Sequence, residues 1–337
     1  MSLLQVTDLK VEYTTSRGTL RAVDGVSFSL ERGKTLGIVG ESGCGKSTLM
    51  KSLMRLLPPQ GRIVGGQVLL EGTDLTKLSE HELRAIRWKK MALITQSAMN
   101  ALNPVYKIGD QLAEVLIVHG GMTRKAAWER AAQLCQLVGI DPARLSAYPH
   151  QLSGGMRQRV MIAMAIALNP ALIIADEPTT ALDVVIQHRI LTRIRELQSQ
   201  LQIAMILVTH DISLVAEICD YAMVMYAGEM VEYGAVRDIF FKAYHPYTLG
   251  LLNAVPSVTQ DIESLISIPG YPPDLIHPPA GCRFATRCPF RTEVCETQRP
   301  NLGEVQAGHR VGCHFPEKAE EFRRQAADRR TWERMSV

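Results

Sequence analysis

The 337-residue sequence predicts an α/β fold, a parallel sheet covered by helices with its ligand at the carboxyl ends of the strands. Three observations carry that expectation. The apolar run Leu36 to Val39 passes directly into the glycine-rich string GESGCGKST at 40–48, then into a helical stretch ending at Pro58-Pro59. A second apolar run, ALIIADE at 171–177, ends in two carboxylates. From there onward buried strands alternate with segments of helical spacing, at 171–176, 184–201, 203–209, 212–219 and 221–227.

Taken in order, the chain opens with strand-like patterning up to about residue 33, first at Val6, Leu9 and Val11 and then at Val26, Phe28 and Leu30. Tyr13 ends the first of these stretches, where a ring can either join the core or stack on a planar ligand. The string at 40–48 joins a buried strand to a helix and is a phosphate-binding loop. Gly40, Gly43 and Gly45 let backbone N–H groups turn inward around the β- and γ-phosphates. Lys46 reaches the same oxygens, Ser47 offers its hydroxyl to Mg²⁺, and Thr48 continues the helix. The expected nucleotide contacts are therefore Gly40, Ser42, Gly43, Cys44, Gly45, Lys46, Ser47 and Thr48. A small hairpin around Val68 to Leu70 completes an antiparallel β portion.

Gln96 closes the short apolar segment Met91 to Thr95, and from about 97 to 160 the spacing turns helical. Val105 to Val118, Arg124 to Val138 and Arg157 to Leu168 are the expected helices, broken at Gly120-Gly121 and Asp141-Pro142. Within this stretch, Leu152-Ser153-Gly154-Gly155-Met156 opens a helix, and its serine, glycine amides and positive dipole end form a second anion site. In-line attack of water on a γ-phosphoryl group needs neutralised phosphate charge, an oriented water and excluded solvent. Asp176 is placed to hold Mg²⁺, the adjacent Glu177 to polarise the attacking water, and His210, ending a neighbouring strand, to hydrogen-bond the γ-phosphate.

After about Pro256 the composition shifts, with Pro269, Pro272, Pro273, Pro278 and Pro279 close together, and a separate C-terminal domain is expected. It holds Cys282, Cys288, Cys295 and Cys313, spaced C-x5-C-x6-C-x17-C, four of the chain's seven cysteines. Cys44, Cys135 and Cys219 are scattered and read as isolated thiols. In a reducing compartment four clustered thiolates suit a metal or an iron–sulfur cluster rather than a disulfide. The spacing matches neither paired zinc-ribbon motifs nor the usual ferredoxin run. Zinc, with His309 or His314, and free thiols remain the alternatives.

These motifs, in this order, resemble the ATP-binding-cassette ATPases over roughly residues 3 to 255. The fold so implied is an ABC-type P-loop NTPase with an antiparallel β subdomain and an inserted helical subdomain. The resemblance makes Gln96 the Q-loop residue and a further Mg²⁺ ligand, and Ser153, Gly154, Gly155 and Met156 the signature. It makes Asp176 and Glu177 Walker B, Asp183 the D-loop residue and His210 the switch histidine. Met156 departs from the glutamine common at the fifth signature position. In such proteins the signature faces the nucleotide of a second cassette, so hydrolysis is implied to need a dimer.

His245-Pro246-Tyr247-Thr248 and the segments Gly281-Cys282-Arg283-Phe284 and Arg287-Cys288-Pro289 resemble, more narrowly, the D-type ATPases of oligopeptide/dipeptide importers. That resemblance implies an ATPase domain over 1–255 and a C-terminal domain over 256–337, whose four cysteines hold a [4Fe–4S] cluster, with Zn²⁺ as the alternative. It also implies a paralogous second ATPase forming a heterodimer, two transmembrane permeases and an extracytoplasmic solute-binding protein.

Composition narrows the alternatives. No apolar stretch reaches the ~18 residues of a spanning helix, and the N-terminus lacks a signal-peptide pattern. The expected location is thus the cytoplasmic face of the inner membrane, held through partners. A net charge of +3 gives no argument for nucleic acid. Chromosome and repair ATPases interrupt this cassette with long heptad coiled coils, and the translation-type proteins carry two cassettes. Neither feature occurs here. Intact Lys46, Asp176, Glu177 and His210 argue against a silent regulatory subunit.

Overall fold

The computed structural model describes residues 2–95, 101–178, 184–254 and 266–333. Its strands, in chain order, are β1 (Ser2–Thr15), β2 (Gly18–Glu31), β3 (Thr35–Val39), β4 (Gly61–Leu70), β5 (Thr73–Asp74) and β6 (Met91–Ile94). They continue with β7 (Leu172–Asp176), β8 (Ala204–Val208), β9 (Tyr221–Tyr226), β10 (Glu229–Ala235), β11 (Gly303–Gln306) and β12 (His309–Val311). The chain packs as two compact units. One comprises Met1–Leu4, Leu30–Thr35 and Leu69–Val208, the other Gln5–Ser29, Leu36–Val68 and Thr209–Val337.

In the first unit β6, β7 and β8 pair in parallel, Met91 opposite Leu172 and Leu172 opposite Ala204. β7 and β8 are buried along their whole length, as parallel strands covered on both faces must be. The helices Ile108–Val118, Arg124–Leu137 and Gly154–Ile166 form the helical part. Two of them begin elsewhere than their spacing predicts. Residues 102–107 are held as a loop because the buried Gln111 amide donates to the carbonyls of Asn103 and Tyr106, so the first helix starts at Ile108 rather than Val105. Ser153 caps the third, which therefore starts at Gly154 rather than Arg157.

In the second unit β2, β1 and β4 lie side by side. β3 pairs in parallel with β9, Leu36 opposite Tyr221. Gly37 is required here, because a Cβ would stand 2.6 Å from a Val215 methyl, so the helix Ile212–Ile218 lies close on β3. The helix after the phosphate loop stops at Leu53, well short of the prolines, because Arg55 takes a left-handed conformation (φ 53°) and turns the chain out.

The C-terminal segment does not stand apart as the proline-rich shift suggests. β12 pairs antiparallel with β10, Glu232 opposite Val311, and β11 pairs with β12. One hydrophobic core includes Val39 and Val224 of the sheet together with Phe284, Phe322 and Trp332 of the C-terminal segment. The fully buried Glu232 fixes the junction, accepting from the backbone N–H groups of Tyr244 (2.7 Å) and His245 (3.0 Å) and lying 2.8 Å from His309 Nε2. No helix among the described residues is long and apolar enough to cross a membrane.

Candidate functional site

The loop 40–48 has the form its glycines require. Gly40, Gly43 and Gly45 have φ of 149°, 80° and 105°. A Cβ on Gly40 would stand 2.2 Å from the Met225 carbonyl, and one on Gly45 2.3 Å from the Ala22 carbonyl, so the loop is pressed against backbone at both ends. Lys46 is buried, its ammonium donating to the carbonyls of Gly40 (2.6 Å) and Glu41 (2.9 Å). The helix Lys46–Leu53 has Gly45 at its N-cap and no side-chain cap, leaving its first N–H groups for an anion. Ser42, Gly43 and Ser47 are exposed, while Cys44 is buried with its thiol pushed up by that burial. Tyr13 stands beside this helix, its hydroxyl 3.4 Å from Thr48 Oγ1.

Two residues outside the motif grip the loop, and sequence reasoning missed both. The Glu41 N–H donates to the Tyr247 hydroxyl (2.8 Å), and the Glu41 carboxylate receives both Arg287 Nη atoms at 2.7 and 3.0 Å. His210 lies in the same unit, exposed in the turn that follows β8. Around it, Asp211 donates its N–H to Thr209 Oγ1 (3.0 Å), and the Asp211 carboxylate caps the helix Ile212–Ile218.

The other unit carries the remaining polar residues. Asp176 ends β7 and is buried. Glu177 follows at φ 46°, left-handed, its N–H donating to the Val208 carbonyl at 2.8 Å. A non-glycine residue there is strained, and such strain concentrates at functional positions. Ser153 is exposed and its hydroxyl accepts from the Met156 N–H at 3.3 Å. Gly155 is buried and Met156 half-buried. The buried Gln158 amide donates to the Pro178 carbonyl, tying the signature-bearing helix to the turn after Glu177. Gln96 and Asp183 lie outside the described residues. The oxygen donors Ser47 and Asp176 are of the kind a hard divalent cation takes.

Cys282, Cys288, Cys295 and Cys313 line one cavity together with Phe284 and Phe290. Among the described residues, no three His, Cys, Asp or Glu side chains stand as a metal-holding group. The donor chemistry nonetheless suits a soft centre. The Phe315 N–H donates to Cys313 Sγ (3.5 Å), and the backbone N–H groups of Phe284 and Phe290 serve Cys282 and Cys288. Burial pushes the free thiols up, Cys282 to about 12 and Cys313 to about 11. Of the candidate zinc partners, His314 lines the same cavity with its Nε2 2.8 Å from the Gln298 carbonyl, while His309 turns its Nε2 to Glu232.

A family model described as ABC transporter matches residues 23–180, and one described as oligopeptide/dipeptide transporter, C-terminal region, matches 231–295. The dipeptide transport ATP-binding protein DppD of Bacillus subtilis is 48% identical over 95% of this chain and 96% of its own length. The oligopeptide transport ATP-binding protein OppD of Escherichia coli is 47% identical, covering 94% of both. A solved dimeric ATP-binding cassette in a post-hydrolysis state, bound to ADP and Pi, matches 69% of this chain and 99% of its own with a TM-score of 0.63 at 27% identity. Phosphate loop, acidic strand end and three of the four C-terminal cysteines, Cys282, Cys288 and Cys295, thus fall within the segments matched by the family models, and the chain belongs to the ABC transporter ATPases with an oligopeptide/dipeptide transporter C-terminal region.

Proposed function

We infer that the chain is the ATP-hydrolysing subunit that powers an importer for peptides or related small solutes. Near-full-length identity of 48% to a dipeptide transport ATP-binding protein carries the reading. In the proposed reaction Lys46 neutralises phosphate charge and the uncapped helix start at Gly45 receives the phosphates. Glu177 takes a proton from the attacking water, and His210 hydrogen-bonds the γ-phosphate. Ser47 and Asp176, with Gln96, would hold Mg²⁺, whose charge offsets that developing on the phosphoryl group. Tyr13 would stack on the adenine, a role supported by its hydroxyl standing 3.4 Å from Thr48 Oγ1. Ser153, Gly154, Gly155, Met156 and Asp183 would serve the nucleotide of a second cassette, with a paralogue as the partner in a heterodimer.

Two permeases and an extracytoplasmic binding protein complete the proposed assembly, which holds this chain at the cytoplasmic face of the inner membrane. A hollow of about 640 Å³, lined by Trp88, Tyr106, Val118 and His119, supports a permease docking site on the helical part around residues 101–119. Val105, Tyr106 and Val118 are 71%, 56% and 66% exposed, apolar surface of the kind a partner helix covers. Closure around ATP would move this segment and the helix seated on it.

The four cysteines are proposed to hold a [4Fe–4S] cluster with a structural role, supported by their common cavity and the N–H groups aimed at sulfur. Replacing Glu177→Gln should leave ATP binding intact and lower phosphate release by roughly 10² or more. Unchanged release would refute the assignment. Anaerobically purified chain should contain iron and sulfide in equal amounts, lost in Cys288→Ser. Zinc alone would replace the cluster in this account.

A further inference from the structure

The geometry points to Arg287 as a positioning residue for the phosphate loop, through which the cysteine-bearing segment sets nucleotide affinity. The inference rests on the loop being the nucleotide site. Arg287 lies between Cys282 and Cys288 in sequence and is 5% exposed. Its guanidinium is committed on every side. Nη1 and Nη2 meet the Glu41 carboxylate, Nε donates to the Pro269 carbonyl (2.8 Å), Nη2 also to the Ile268 carbonyl (3.2 Å), and Nη1 also to the Tyr226 hydroxyl (3.3 Å). A planar fork with five N–H donors can satisfy this set, and a lysine cannot.

Glu41 is the second residue of the phosphate loop, and both its ends are held by groups outside the motif. The carboxylate is held by Arg287 and the N–H by the Tyr247 hydroxyl, with Tyr247 itself fully buried. The Glu41 carbonyl in turn accepts from Lys46, the residue that reaches the phosphates. One unbroken chain of contacts thus runs from the segment bearing Cys282 and Cys288 to the Lys46 ammonium. Displacing Arg287 frees the Glu41 carboxylate and leaves the residue held by Tyr247 alone, so the N–H groups and Lys46 are less firmly kept in the arrangement that fits a phosphate before binding. The expected cost falls on nucleotide affinity, because an unpositioned loop must be ordered by the ligand.

The test is titration of the full-length, anaerobically purified chain with a fluorescent ATP analogue and Mg²⁺, alongside its melting temperature without nucleotide. Arg287→Met is expected to raise the Kd roughly tenfold, and Arg287→Lys by less. Glu41→Gln and Tyr247→Phe probe the same clamp with smaller changes, so the test survives if Arg287→Met does not fold. The Arg287→Met/Glu41→Gln double variant should bind no worse than the weaker single variant, because touching residues are non-additive. A fall in melting temperature with unchanged Kd in the folded chain would make Arg287 a structural anchor and overturn the proposal, as would additive losses. Lys46→Ala is the reference. Lost affinity there with none in the clamp variants overturns the clamp alone, and no loss in either overturns the nucleotide reading and the clamp together.

Discussion

Glu177 shows what single residues contribute. Its position after a buried strand was legible from ALIIADE, because two carboxylates ending an apolar run are a local pattern. Its left-handed backbone was not, since no residue type near it signals φ 46°. The glycines at 40, 43 and 45 were legible for the opposite reason, as each sits where a Cβ is excluded by conformation or by a neighbouring carbonyl. Cys135 gives a prediction at this scale. It is fully buried in the helix Arg124–Leu137, and burial pushes its thiol from 9.0 to about 11. The fold therefore holds the neutral thiol, and its contribution to stability is complete below pH 9 and is lost as pH rises from 9 toward 11. Iodoacetamide at pH 8 should leave Cys135 unmodified in the folded chain and alkylate it in urea. Rapid native alkylation would contradict this.

At the scale of elements, periodicity located the parallel strands and the helices that cover them, but not Glu80–Ile86, Pro246–Asn253 or Ala319–Ala326, and helix starts shifted where a side chain captured backbone. Gln111 delays one helix to Ile108, and Ser153 advances another to Gly154. The join between β10 and β12 had no such signal, because it depends on Glu232 meeting His309, 77 residues away. Both side chains are fully buried. Glu232→Ala would strand the Tyr244 and His245 N–H groups and the His309 ring, costing about 3 kcal/mol or more. The midpoint of urea unfolding of the full chain measures it. A loss below about 1 kcal/mol would mean that the β10–β12 junction does not depend on this carboxylate.

For the whole molecule, composition suggested a detached C-terminal domain, whereas that segment shares the core and sheet of the unit bearing the phosphate loop. The reason is physical. Prolines mark irregular backbone, and that backbone still packs because Phe284 within it and Phe322 and Trp332 on the helices that follow supply apolar surface. The Arg287–Glu41 pair spans 246 residues, beyond any motif spacing. The most direct test of the account is ATP hydrolysis in liposomes holding the complete importer, this chain with its partner ATPase and two permeases, with and without peptide-loaded binding protein. Hydrolysis is expected to be stimulated by the loaded binding protein and abolished by Lys46→Ala in this chain. Hydrolysis indifferent to the binding protein, or undiminished by Lys46→Ala, would contradict it.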